Sequence, residues 1–168
     1  ETYVLSAANT FALGHAAQNL TGSSGDDTVN VGTLNATGTL AGGSGTDTLI
    51  LSNSGNIAGA TVSGFENLSV AENGSATISV AQFSSFTGTV SGSGSESLTL
   101  SGDGDITTIS AIESYTLSDD STNARTVTVS NTNHSVTATS TSDAVTFDLG
   151  SLTYTGTITG DNTTADTL

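Results

Sequence analysis

Leu20-Thr-Gly-Ser-Ser-Gly-Asp-Asp-Thr-Val29 lies 20 residues ahead of Leu40-Ala-Gly-Gly-Ser-Gly-Thr-Asp-Thr-Leu49, and the two segments align without a gap. An offset of this size suits the circumference of one turn of a parallel β-helix, so residues separated by it stack directly above one another. The fold expected from this is all-β: a right-handed parallel β-solenoid, with Val29 and Leu49 lying side by side on adjacent strands.

A longer repeat runs through the rest of the chain. Gly38-Thr-Leu-Ala-Gly42 recurs as Gly88-Thr-Val-Ser-Gly92 and as Gly156-Thr-Ile-Thr-Gly160. Each is followed by an acidic residue, a small polar residue and Leu: Asp47-Thr-Leu49, Glu96-Ser-Leu98 and Asp166-Thr-Leu168. A second block, Val62-Ser-Gly-Phe-Glu66-Asn-Leu-Ser-Val70, matches Ile109-Ser-Ala-Ile-Glu113-Ser-Tyr-Thr-Leu117. The repeat of roughly 50 residues spans two or more turns. Its third copy stops at Leu168, and the chain starts at Glu1 rather than Met, which suggests a piece of a longer array.

Alternating strand signals fall at Thr28–Val31, Thr48–Leu51, Ala76–Val80, Ser97–Leu100, Thr126–Ser130, Ser135–Thr139 and Val145–Leu149. Gly, Asn, Asp and Ser bound these runs. Helical signals are nearly absent. Only Val4–Asn19, rich in Ala, could be partly helical, and residues 1–19 are expected to form an irregular cap or first rung before a solenoid over 20–168. An immunoglobulin-like sandwich is the competing architecture, but it rarely carries internal repeats at this spacing.

Composition limits the function. Of 168 residues, 1 is Lys or Arg and 16 are Asp or Glu, a formal charge of −15. One cation, Arg125, is too few for phosphate backbones or anionic lipid surfaces. No run approaches the ~20 apolar residues of a membrane span. Cys is absent although the composition looks extracellular, a combination that suits stabilisation by metal. Pro is absent too, as continuous strand ladders prefer. A disordered acidic chain is the alternative, opposed by the alternation of Val, Ile, Leu and Thr.

The chemistry-bearing segment is Gly42-Gly-Ser-Gly-Thr-Asp-Thr-Leu-Ile50, which fits the calcium-binding nonapeptide G-G-x-G-x-D-x-U-x; Gly22-Ser-Ser-Gly-Asp-Asp-Thr-Val-Asn30 departs at Ser23. Calcium takes several oxygen ligands at about 2.3–2.6 Å. Glycines at 22, 25, 42 and 45 let turn carbonyls face a common centre, and Asp27 and Asp47, with Asp26 beside them, bring negative charge. Ser91-Gly-Ser-Gly-Ser-Glu96, Gly160-Asp-Asn-Thr-Thr-Ala-Asp166 and Gly102-Asp-Gly-Asp105 are weaker copies. Asp47→Ala should weaken a calcium response more than Asp143→Ala.

Other constellations carry less. Glu66 and Glu113 are equivalent by repeat, so structural corners explain them better than a glycosidase pair. His15 and His134 lack partners at zinc-like spacing and are expected at the surface or in loops. No nucleophile elbow is present. No catalytic residues are expected, and the chain should not be an enzyme.

These residues resemble the RTX-type surface-layer proteins and large repeat adhesins of Gram-negative bacteria. The likeness rests on Gly25-Asp-Asp-Thr-Val29, Gly42-Gly-Ser-Gly-Thr-Asp47-Thr-Leu49 and Gly64-Phe-Glu-Asn-Leu68, over about residues 20–70. It implies type I secretion, a location on the bacterial cell surface, folding on external calcium, and assembly with further copies. Under that resemblance Asp27 and Asp47 are calcium ligands, with carbonyls of Gly22, Gly25, Gly42 and Gly45 nearby. Few nonapeptides are intact, which departs from the family pattern. Two other functions fit less well. A module binding carbohydrate or cell surfaces should expose a groove with Tyr or Phe. An ice binder needs a long regular threonine row, of which Thr126-Val-Thr128 and Thr137-Ala-Thr139 are only hints.

Overall fold

The structure, a computed structural model, describes residues 1–118, 123–139, 144–160 and 166–168. It is a parallel β-solenoid of about 8 turns. The strands fall into four sheets. Thr2–Val4, Asn19–Thr21, Thr39–Ala41 and Thr61–Ser63 form the first. Thr10–Ala12, Thr28–Gly32, Thr48–Leu51, Asn67–Val70 and Val90–Ser91 form the second. The third stacks Gly55–Asn56, Ser75–Ser79, Ser97–Ser101, Ser114–Leu117, Ser135–Ala138 and Thr157–Thr159. The fourth stacks Ile106–Thr107, Arg125–Thr128 and Val145–Asp148. Val29 pairs with Leu49 in parallel register, as the offset between the two aligned segments requires.

Turn length is not constant. The turn from Ser97 to its partner Ser114 is several residues shorter than the one from Ser75 to Ser97. The variation is absorbed in the corners, because strand alternation must be kept if apolar residues are to face inward. Val29, Leu49 and Leu68 stack in one inward column, and Leu98, Tyr115 and Val136 in another, all fully buried. Each such side chain contributes ~1.5–3 kcal/mol on burial, which lets a weakly hydrophobic sequence hold a continuous core.

The long repeat is not a whole number of turns, so its copies do not begin on the same sheet. From Leu40 on the first sheet the chain rounds one corner to Leu49 on the second. Two turns then climb that sheet through Leu68 to Val90, the repeat equivalent of Leu40. From Val90 the chain rounds one corner to Leu98 on the third sheet, and three turns climb through Tyr115 and Val136 to Ile158, the next equivalent. Each copy therefore starts one sheet further around the solenoid. Gly42 approaches Gly64 as Gly92 approaches Ala111, so the second block advances with the first.

Of the cap or first rung expected over residues 1–19, the chain forms a rung: Thr2–Val4 pairs with Asn19–Thr21 and Thr10–Ala12 with Thr28–Gly32. Two expectations change. A helix does occur, at Val80–Ser85, where the predicted strand Ala76–Val80 stops at Ser79. Ser79 and Gln82 form a reciprocal capping box, and Gln82 Nε2 donates to the carbonyls of Ile57 and Ala60 at 2.8 and 2.9 Å. Lastly, a long threonine row exists. Thr77, Thr99, Thr116, Thr137 and Thr159 are register partners on five consecutive strands, flanked by Ser75, Ser97, Ser114, Ser135 and Thr157. Unequal turn lengths hide this row in the sequence.

Candidate functional site: the acidic corner ladder

Where the chain turns into the second sheet, the residues just before its first four strands are Asn9, Asp27, Asp47 and Glu66. They stack, and each acid holds the turn below it. Asp27 Oδ1 accepts the Asn9 N–H at 2.7 Å, Asp47 Oδ1 accepts the Asp27 N–H at 2.7 Å, and Glu66 Oε2 accepts the Asp47 N–H at 2.8 Å. The corner into the third sheet repeats the arrangement one copy later. Glu96 Oε1 accepts the Asn73 N–H at 3.0 Å, and Glu113 Oε2 accepts the Glu96 N–H at 2.8 Å. Even the bifurcated carbonyls match: Asp47 O takes the amides of Glu66 and Asn67, and Glu96 O those of Glu113 and Ser114. Glu66 and Glu113 are thus structural equivalents at corners one sheet apart, as their place in the repeat indicates. At the end of the described chain, Asp166 Oδ1 takes the Val145 N–H at 2.9 Å in the same manner.

Close stacking explains the glycines. Gly22 N donates to Ala41 O and Gly42 N to Ser63 O, and both glycines are buried. A Cβ on Gly22 would overlap the Gly42 carbonyl, and one on Gly42 would overlap the Gly64 carbonyl. Gly45 has φ +126°, outside the range of ordinary L residues, while Gly25 is only half-buried. Asp26 is exposed, and its Oδ1 accepts the Thr46 N–H at 2.8 Å. The seven residues singled out by the motif therefore come together in two stacked turns. Asp143 lies outside the described residues.

The three buried acids differ electrostatically. Burial alone would raise the Asp27 carboxyl, but N–H and hydroxyl donation from Ser23 and the Asn9 amide hold it below its usual value. Glu96 is likewise buried yet held low by the amides of Ser93, Asn73 and Gly94. Asp47 goes the other way. It is fully buried, its one amide partner does not offset the lost hydration, and the charges of Asp27, Glu66 and Asp26 push it up further. Its Oδ2 has no hydrogen-bond partner among the described residues. Among those residues, too, no group of three or more His, Asp or Glu side chains converges as a ready metal cage.

His134 and Arg125 are also buried, His134 against expectation. His134 is 1% exposed rather than in a surface loop. It occupies the corner position one turn above Glu113 and two turns above the buried Glu96. Arg125 is 2% exposed and donates to the carbonyls of Gly102 and Ser118 at 3.1 and 3.2 Å. His15 is half-exposed beside Glu1. Comparison with protein-family models, curated proteins and solved structures gives no match.

Proposed function

We propose that this chain is a structural, non-enzymatic module of a secreted bacterial surface-layer or adhesin-like protein, with Ca2+ as a folding cofactor of its acidic turns. The observation that carries the reading is the Asp47 Oδ2: a carboxylate oxygen, fully buried, without a hydrogen-bond partner among the described residues, stacked between two further acids. Such a group calls for a cation or a proton. The fit is partial in a telling way. Both Asp27 oxygens are occupied by N–H and O–H donors. Asp47 is therefore the principal carboxylate ligand, and the carbonyls of Gly22, Gly25, Gly42 and Gly45 with Asp26 would supply the remaining oxygens. When bound, calcium supplies positive charge to a corner built from acids.

The −15 charge supports the same reading, since self-repulsion opposes compaction until counter-ions arrive. Folding would follow export to a calcium-rich exterior. Assembly partners would be copies of the same array or a cell-surface glycan. The glycan-binding alternative is weakened by the tyrosines: Tyr115 is buried, Tyr154 is hydrogen-bonded to the His134 carbonyl, and only Tyr3 is substantially exposed.

Circular dichroism melts with calcium and with a chelator test the reading. Calcium at a thousandfold its Kd should add about 4 kcal/mol to the folded state. Superimposed melts would refute calcium as the folding cofactor. The row of five threonines favours a second reading, adsorption to ice, and faceting of a growing ice crystal would be its signature.

A further inference from the structure

His134 stands apart from the carboxylates of the corner ladder, and its surroundings dictate one protonation state. Its Nδ1 is 2.7 Å from Thr108 Oγ1. Thr108 Oγ1 also accepts the Ser130 N–H at 2.9 Å and lies 3.3 Å from Ser130 Oγ, which itself donates to the Thr108 carbonyl. With the Ser130 proton committed there, every donor is satisfied only if Nδ1–H donates to Thr108 and the Thr108 hydroxyl donates to Ser130. The Nε2 then carries a bare lone pair. It is buried and has no partner among the described residues, which is the cheaper of the two tautomers because no N–H is left unpaired.

A second proton must go to Nε2. It would create a cation and an unpaired donor at a site 1% exposed. The groups facing the ring are few. Glu113 lies one turn below and its field favours the cation. Tyr115, 5.9 Å away ring to ring, is a neutral phenol whose hydroxyl is engaged by Ile109. Tyr154 donates to the His134 carbonyl. Burial outweighs Glu113 and holds the imidazole below its usual 6.5.

The backbone around this ring stitches the last rungs to the body. Ser135 N donates to Glu113 O at 2.8 Å, while His134 O accepts Thr157 N at 3.3 Å as well as the Tyr154 hydroxyl. We propose that His134 is an acid-sensitive latch, whose protonation detaches Ser135–Ala138 and Thr157–Thr159 from the strand Ser114–Leu117. Detachment bares a Ser/Thr-rich strand edge able to pair with another chain. The unfolded segment takes up its proton first, since its imidazole is the more basic. The latch is closed above pH 6.5 and loosens as pH falls through 6.5 toward the folded value.

The chain has two histidines, so NMR titration resolves both. His134 is expected to titrate below the ordinary 6.5 of an imidazole. Amide exchange in Ser135–Ala138 and Thr157–Thr159, corrected for intrinsic rate, should accelerate by roughly tenfold per pH unit within the window, while Thr28–Gly32 stays protected. His134→Gln should abolish the loss of Tm between pH 7.5 and 5.5, and His15→Gln should retain it. A His134 that titrates at or above 6.5, an equal Tm at both pH values, or a loss that survives in His134→Gln would each overturn the latch. If His134→Gln fails to fold, the wild-type titration and exchange data decide alone.

Discussion

The Asp47 carboxylate reaches across one turn of the solenoid to take the backbone N–H of Asp27 at 2.7 Å. Both residues are buried, so removing the carboxylate leaves an amide with neither water nor partner. Asp47→Ala should cost about 1–3 kcal/mol in urea unfolding. Glu72→Ala, at an exposed acid of equal charge, should stay within about 0.5 kcal/mol of wild type. Equal losses would mean that the ladder bond is not what these acids contribute.

Acid pH should expose the ladder's electrostatics. Asp27 and Glu96 sit below their usual 3.8 and 4.5 when folded, so the unfolded chain binds protons first. Their contribution is complete above about 4.5 and is lost as pH falls through the folded values. Glu96→Gln should therefore remove part of the decline in Tm between pH 4.5 and 2. An unchanged acid limb in that variant would contradict the assignment.

Two glycines separate crowding from strain. Gly42 has no positive φ but no room, since a Cβ would overlap the Gly64 carbonyl. Gly32 has φ +65° and open space around it. Gly42→Ala should part the stacked turns and cost roughly 1–3 kcal/mol or more, as overpacking does. Gly32→Ala should cost about 1 kcal/mol, from left-handed strain alone. Thermal melts of the two variants order them, and the reverse order would show that the turns yield readily.

The pairing of Val29 with Leu49 was legible because the offset between their segments in sequence equals one turn in space. Strands such as Thr48–Leu51 and Ser135–Ala138 were legible because an inward apolar residue alternates with an outward Thr or Ser. The short strands Thr2–Val4 and Thr10–Ala12 of the first rung were hidden by small residues, Ala7, Ala8, Ala16 and Ala17, that fill the loops following them. The helix was hidden because Ala76–Ser79 alternates right up to its N-cap, although Ser79 and Gln82 at capping-box spacing were a usable signal. Burial of His134 has its precedent in Glu96, two turns earlier and also just before a Ser-initiated strand. The motif showed which acids sit in the turns but not that backbone amides claim their oxygens. That depends on how closely successive corners approach, a distance set by the glycines.

Asp47→Asn isolates the orphan oxygen from the ladder bond. The amide oxygen can still accept the Asp27 N–H, so the ladder survives, while the charge at Oδ2 disappears. The Asp47 carboxyl is pushed above its usual 3.8 chiefly by burial, then by its acidic neighbours. A raised folded value favours folding at low pH and is lost as pH rises through that value, so at pH 7 without a cation the charge destabilises. Asp47→Asn should accordingly melt no lower than wild type in chelator at pH 7. With calcium the order should invert, because the variant has lost the carboxylate that best fits the ion, and its calcium-induced rise in Tm should shrink. Measuring wild type and variant in both conditions gives a double comparison in which misfolding of the variant would lower both of its melts alike. A full calcium response in Asp47→Asn would place the ion elsewhere, and a chelated variant far less stable than wild type would mean that the buried charge is already compensated by the chain itself.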